Sequence, residues 1–103
     1  MDRINQSMIE EGKRLIMDHY GAENQALQLC EECGELIQAS SKYVRQGGAP
    51  ITKEAMIDEI VDVMVVADQF LLLFGVSDED IESRITAKVQ RQIRRINEEM
   101  QLG

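Results

Sequence analysis

Apolar residues recur every three or four positions along most of this chain, a spacing that places them on one face of an α-helix. Glycines interrupt the pattern at Gly21, Gly47, Gly48 and Gly75. The pattern predicts four helices, at about 2–20, 24–46, 52–74 and 78–100. A single proline and a richness in Leu, Ile, Met, Glu, Gln and Ala also favour helix over sheet. We therefore expect an all-α fold.

Polar residues mark the expected starts of these helices. Asp2 and Asn24 are candidate N-terminal caps because their side-chain oxygens can accept hydrogen bonds from the first free backbone N–H groups. Ser77 followed by Asp80 resembles a capping box, and Ile51 is placed to act as a hydrophobic staple before the third helix.

The third predicted helix is hydrophobic almost all round from Ile60 onward, which is typical of a helix enclosed by neighbours on several sides. At 103 residues the chain forms one domain, near the size at which oligomerisation commonly supplements a single core. A domain this small has few helices to surround the third. We expect a four-helix bundle-like subunit that assembles into a homo-oligomer, with a partner subunit covering the rest of this helix.

The formal net charge of -8 argues against nucleic acid or an anionic membrane as a partner, because the long-range field repels phosphate. A polyanionic small ligand could bind this acidic protein only together with cations. No charged-then-apolar leader opens the chain, and Asp62, Asp68 and Gln69 interrupt its longest apolar run, which argues against a signal peptide or a membrane span. We expect a cytoplasmic protein.

Two pairs of acids at i,i+3 spacing lie in stretches that otherwise have the pattern of core helices, Glu32 with Glu35 and Glu59 with Asp62. Acids three residues apart on a helix point the same way, so two facing helices would present four carboxylates to one spot. These carboxylates would repel one another and lose hydration unless something positive joined them. Carboxylate oxygens suit Mg²⁺ or Mn²⁺, and such an ion can neutralise and orient a triphosphate for hydrolysis.

Other interpretations of the acids stay open. The acids could instead form salt bridges to Lys42, Arg45 or Lys88. The protein would then be a non-catalytic helical module that dimerises through its third helix. A regulatory nucleotide sensor would bind a nucleotide with Mg²⁺ and not hydrolyse it. Solvated helix faces are a third interpretation, disfavoured by Asp62, which lies among valines.

Cys30 and Cys33 form a C-x-x-C motif, which invites a redox or zinc interpretation. The chain has no second cysteine pair, only one histidine and no βαβ pattern around the motif. We expect both cysteines to act as small hydrophobes on the apolar side of the second helix. That side would also carry Leu29, Leu36 and Ile37.

At the acid motifs the chain resembles the all-α MazG-like nucleoside triphosphate pyrophosphohydrolases. Residues 31–35, Glu-Glu-Cys-Gly-Glu, match the family's E-E-x-x-E signature, and residues 59–62, Glu-Ile-Val-Asp, match its E-x-x-D signature. The resemblance covers roughly Gln25 to Arg95. It implies a single MazG-like helical domain over residues 1–103, acting in nucleotide-pool housecleaning. Such an enzyme hydrolyses an NTP or dNTP to the monophosphate and pyrophosphate with Mg²⁺, or with Mn²⁺, as a homodimer or homotetramer.

The resemblance also implies roles for individual residues. The metal ligands it implies are Glu32, Glu35, Glu59 and Asp62. Glu31 matches the first acid of the signature and is the candidate for orienting or deprotonating the attacking water. The cations expected to bind the substrate phosphates are Lys42, Arg45, Lys88, Arg91 and Arg95, with Arg94 in the same basic segment.

Overall fold

A computed structural model describes residues 3–102, apart from the side chain of Ile4. The helices are α1 (Arg3–Tyr20), α2 (Ala22–Arg45), α3 (Pro50–Leu73) and α4 (Asp78–Leu102). No strand occurs in this part of the chain. The all-α prediction is confirmed.

The first helix junction differs from its predicted form. Gly21, with φ 85°, takes the N-cap position of α2 and provides no side-chain cap. Asn24 lies inside α2, where its Nδ2 donates to the Tyr20 carbonyl at 2.9 Å, so the prediction that it caps the helix is wrong. A backbone that turns through a glycine needs no separate capping residue three positions later. The other predicted cap, Asp2, lies outside the described residues.

The starts of α3 and α4 were predicted with mixed success. Ser77 Oγ accepts a hydrogen bond from the Asp80 N–H at 3.1 Å, which confirms Ser77 as the cap of α4. Thr52 is buried in the first turn of α3, and its Oγ1 donates to the Ala49 carbonyl at 2.6 Å. Ile51 is exposed, so the predicted staple does not form. Pro50 already sets the backbone for the first helical turn.

The turn between α2 and α3 ends α2 with two left-handed glycines, Gly47 at φ 64° and Gly48 at φ 74°. The Gly48 N–H donates to the Tyr43 carbonyl and the Gly47 N–H to the Val44 carbonyl, which is the Schellman arrangement. A Cβ on Gly48 would lie 3.3 Å from Tyr43 Oη. The turn therefore disfavours a residue with a Cβ at this position.

Replacing Gly48 with alanine is expected to lower the free energy of unfolding by about 1–2 kcal/mol, because an L-residue is strained at this φ. Gly12→Ala is the matched control, since Gly12 lies inside α1 and a Cβ there would meet nothing within 4 Å. That change is expected to stabilise the protein by roughly 0.5–1 kcal/mol. Urea denaturation of both variants measures the difference, and equal midpoints would contradict it.

The bundle consists of α1, α2 and α3, with the most extensive packing between α2 and α3. Lys13 Nζ pairs with Asp68 Oδ2 at 2.9 Å and links α1 to α3. No Cα of α4 comes within 8 Å of a Cα of the other three helices. The longest helix thus extends from the bundle, and only its first turn, at Asp78 and Ile81, lines a pocket together with residues of α1 and α3.

The single chain buries little of itself. The buried residues among those described are Met17, Gln25, Thr52, Val66 and Gln69. Its accessible surface is 8278 Å², whereas a compact monomer of this mass exposes about 5,900 Å². Its radius of gyration is 17.2 Å, against about 13 Å for a compact chain of this length. Much apolar surface is therefore left uncovered by the chain itself.

Part of that surface belongs to α3. Ile57, Ile60, Val61 and Met64 are exposed along one side, and we call these four residues the α3 stripe. The other side of the helix carries buried Val66 and Gln69. The helix predicted to be enclosed on several sides is thus enclosed on only part of its surface by its own chain. No helix in residues 3–102 has the length and apolar character needed to cross a lipid bilayer.

Candidate metal centre

The structure brings the two acid pairs together between α2 and α3. Glu32 and Glu35 lie on adjacent turns of α2, and Glu59 and Asp62 lie on adjacent turns of α3. One carboxylate oxygen from each residue can be chosen so that all four lie within 4.8 Å of one another. We call these four residues the acid cluster, and they could together hold a metal ion.

Local sequence explains this convergence. The i,i+3 spacing points both members of each pair to the same side of their helix. The short turn between Arg45 and Pro50 sends α3 back along α2, so the two sides face each other. Gln28, one turn before Glu32, donates from Nε2 to Glu32 Oε1 at 2.8 Å and orients that carboxylate.

Two oxygens of the acid cluster are buried without any hydrogen-bond partner, Glu32 Oε2 and Glu59 Oε2. A carboxylate oxygen removed from water without a donor is costly, and a cation would compensate for that cost. The ion pairs within residues 3–102 are Lys13–Asp68 and Arg84–Asp80. No lysine or arginine of the described chain therefore neutralises the cluster.

The acids of the cluster also raise the pKa of one of their own members, Glu35. The negative charge of Glu32, and next that of Glu59, raises the pKa of Glu35 above its ordinary value of 4.5. Loss of hydration and hydrogen bonds from the protonated Glu35 carboxyl to these two neighbours act in the same direction. Like-charge repulsion thus makes ionisation of Glu35 less favourable when no cation is present.

Two predicted phosphate ligands lie beside the cluster. An open groove of about 590 Å³ has Glu35 and Glu59 in its wall together with Lys42 and Arg45. Both cations are exposed on the last turns of α2. A ligand in this groove would thus meet acids at one end and positive charge at the other.

The remaining predicted cations lie elsewhere in the single chain. Lys88, Arg91 and Arg95 are exposed on α4, whose Cα atoms all lie more than 8 Å from those of α2 and α3. A second groove, of about 360 Å³, runs along α4 and is lined by Lys88 and Arg91 together with Arg84 and Arg94. Within one chain, the structure does not bring the α4 cations to the acid cluster.

Glu31 is also outside the acid cluster. Its side chain is exposed on α2, and its carboxylate is not part of the four-oxygen group. Gln28, by contrast, contacts the cluster directly and was missed by sequence reasoning. Its position one helical turn before Glu32 was the available signal, because residues four apart on a helix are neighbours.

Cys30 and Cys33 are free and exposed, so the prediction that they lie on the buried apolar side of α2 is wrong. Ile37, expected on that same side, is exposed too. These residues lie on a surface of α2 that no other helix of the described chain covers. A helix with apolar residues on more than one side does not reveal which side its own bundle will bury.

In comparisons with known proteins, no protein-family model, no curated protein and no solved structure matches this chain. The likeness to MazG-like enzymes therefore rests on the two acid motifs.

Proposed function

We propose that this protein is a Mg²⁺-dependent nucleoside triphosphate pyrophosphohydrolase, with Mn²⁺ as the alternative ion. The observation that carries the proposal is the acid cluster, with four carboxylate oxygens within 4.8 Å of one another and two buried oxygens without a partner. The reaction adds water across the anhydride between the α- and β-phosphates of an NTP or dNTP. The products are the monophosphate and pyrophosphate.

The donor set favours a hard cation. All four groups are carboxylates, and the cysteines lie on another surface of α2. Mg²⁺ is commonly bound by a few carboxylates and keeps coordination positions for water and phosphate oxygens. When bound, it supplies charge neutralisation, alignment of the phosphates and activation of water.

The chain's own residues supply the other parts of the proposed reaction. Lys42 and Arg45 bind phosphate oxygens in the groove beside the cluster. Gln28 donates to Glu32 Oε1 and leaves Glu32 Oε2 without a partner, so that oxygen is available to the ion. Glu31 is proposed to orient or deprotonate the attacking water, and this role requires its exposed side chain to turn toward the bound substrate.

The proposed enzyme works as a homodimer or homotetramer. The isolated chain exposes 8278 Å², about 2,400 Å² more than a compact monomer of its mass. Obligate homodimers bury about 2,000–5,000 Å² in total, so an excess of this size in each copy is on the scale of a permanent interface. The non-catalytic module with charge-paired acids is less consistent with the structure, because no cation of the described chain pairs with them.

A nucleotide panel tests the proposal. The purified protein is incubated with the canonical NTPs and dNTPs in Mg²⁺, in Mn²⁺ and in EDTA, and products are identified by anion-exchange chromatography. We expect monophosphate and pyrophosphate in equal amounts, formed only with a divalent ion. Glu35→Gln and Asp62→Asn are each expected to lower the rate at least about a hundredfold.

Controls for this assay come from acids outside the site. Glu23→Gln, on α2, and Asp18→Asn, on α1, change the same functional groups on exposed surface and are expected to leave the rate unchanged. Diphosphate and phosphate as products would contradict the proposal. So would Mg²⁺-dependent nucleotide binding without turnover, which would identify a sensor.

A further inference from the structure

The proposed reaction leaves the C-x-x-C motif of α2 without a role. Its residues, Cys30 and Cys33, are the two cysteines of the chain, and we call them the cysteine pair. Both are free, both are exposed, and they lie one turn apart inside α2. Exposed thiols are accessible to oxidants and to exchange with other disulfides. The cysteine pair is therefore open to covalent modification.

The spacing of the cysteine pair comes close to the geometry of a disulfide without matching it. In a regular α-helix, Cα atoms three residues apart are separated by about 5 Å, inside the range of about 4.4–6.8 Å found in disulfides. The Cβ atoms are about 5–6 Å apart, whereas a disulfide needs about 3.5–4.5 Å. The bond therefore requires the turn from Cys30 to Cys33 to depart from regular helix by on the order of 1–2 Å.

That turn carries part of the acid cluster. Glu32 lies between the two cysteines, and Glu35 lies two residues after Cys33. Glu32 accepts a hydrogen bond from Gln28 at 2.8 Å and contributes one of the four oxygens that lie within 4.8 Å of one another. Mg²⁺ binds oxygen at about 2.0–2.1 Å and demands near-ideal octahedral geometry. A shift of this turn by 1–2 Å, which is about the length of half a coordination bond or more, would misplace a ligand.

We propose that the cysteine pair is a site of reversible oxidation, and that its disulfide and an ion in the acid cluster disfavour each other. The oxidant is a peroxide. One cysteine sulfur attacks a peroxide oxygen, the O–O bond breaks, and a sulfenic acid and water form. The second sulfur attacks the sulfenic sulfur, the S–S bond forms, and a second water leaves. The two cysteines lose one hydrogen atom each, and hydrogen peroxide is reduced to two waters.

The mismatch in Cβ distance makes the bond reversible. Strained or exposed disulfides are reduced more easily than relaxed ones, and they are the labile and regulatory ones. Coupling between the bond and the ion is reciprocal. If the disulfide weakens Mg²⁺ binding tenfold, saturating Mg²⁺ disfavours the disulfide tenfold, which is about 30 mV for this two-electron couple. The coupling rests on the proposed metal centre, whereas the formation of the disulfide does not.

Mass spectrometry tests the disulfide without any assay of activity. The purified protein is treated mildly with hydrogen peroxide, and the tryptic peptide that spans both cysteines is analysed. We expect this peptide to lose two hydrogen atoms and to regain them with dithiothreitol. Cys30→Ser is the control and is expected to show no such loss. A wild-type peptide that only gains oxygen atoms, or that forms disulfides only between chains, would overturn the modification site.

Equilibration in glutathione buffers tests the coupling, because the equilibrium does not depend on which oxidant forms the bond. The oxidised fraction is measured by maleimide labelling in EDTA and in saturating Mg²⁺. We expect half-oxidation in Mg²⁺ to need buffers about tenfold more oxidising than in EDTA. Glu23→Gln, an exposed acid of the same helix, should show the wild-type difference, and Glu35→Gln should show little of it. Equal midpoints for the wild type in Mg²⁺ and in EDTA would overturn the coupling.

These outcomes separate the inference from the proposed function. A wild type whose melting temperature does not respond to Mg²⁺ contradicts the metal centre and the coupling together, yet mass spectrometry still decides whether the disulfide forms. A wild type that hydrolyses nucleotides and keeps its Mg²⁺ affinity after oxidation agrees with the proposed function and rejects the coupling.

Discussion

Glu35→Gln is expected to make the metal-free protein more stable and to remove most of the stabilisation that Mg²⁺ provides. Without a cation, the charges of Glu32 and Glu59 act against an ionised Glu35, so a neutral amide relieves repulsion. With Mg²⁺ at a hundred times its dissociation constant, a wild-type protein that binds the ion only when folded gains about 2.7 kcal/mol. The variant lacks one ligand and should gain much less.

Thermal unfolding in EDTA and in Mg²⁺, at one protein concentration, measures the stability of the two proteins without and with the ion. The wild type should melt below Glu35→Gln in EDTA and above it in saturating Mg²⁺. Glu23→Gln, an exposed acid in the first turn of the same helix, should show the same shift in melting temperature between EDTA and Mg²⁺ as the wild type. A variant that is less stable than the wild type in EDTA would show that the acids are held by attractive contacts and not by a missing cation.

The same repulsion gives a pH dependence with a definite sign. The folded metal-free protein raises the pKa of Glu35 above 4.5, so this residue contributes stability that is complete at pH values below 4.5. That contribution is lost as the pH rises through the folded pKa. The gap between Glu35→Gln and the wild type in EDTA should therefore be small at pH 4 and should widen toward neutral pH. A gap that does not vary with pH would contradict the assigned cause.

The acid cluster was predictable because it depends on local geometry. The i,i+3 spacing of Glu32 and Glu35, and of Glu59 and Asp62, fixes the direction of each pair once the segment is helical. The glycines at the α2–α3 turn then make the two helices neighbours. Few other arrangements of these residues were available to the chain.

The burial of each apolar face was not predictable in the same way. Periodicity shows that α4 has an apolar side at Val89 and Ile93, but it does not show what covers that side. The same limit explains the error at Cys30 and Cys33, because α2 has apolar or small residues on more than one side and only one of them faces α3. Contacts between distant segments, or between copies, decide these questions.

Val61→Asp is expected to dissociate the oligomer, since Val61 lies in the middle of the α3 stripe. Placing an unpaired carboxylate in an apolar helix interface costs about 3–5 kcal/mol. Size-exclusion chromatography with light scattering should show the wild type as a dimer or larger and the variant as a smaller species. Leu102→Asp, a similar change at the exposed last residue of α4, should keep the wild-type mass. A Val61→Asp protein of wild-type mass would exclude the α3 stripe from the interface.

Dissociation should also lower the melting temperature sharply. Met17 and Val66 are the only apolar residues buried within the described part of one chain, so an isolated copy has little core to keep it folded. If assembly supplies the missing burial, the melting temperature of the wild type will rise with protein concentration, and that of Val61→Asp will be low at every concentration. A wild type with the mass of one chain and a melting temperature independent of concentration would contradict this, because a single copy would then stay folded with its own small core.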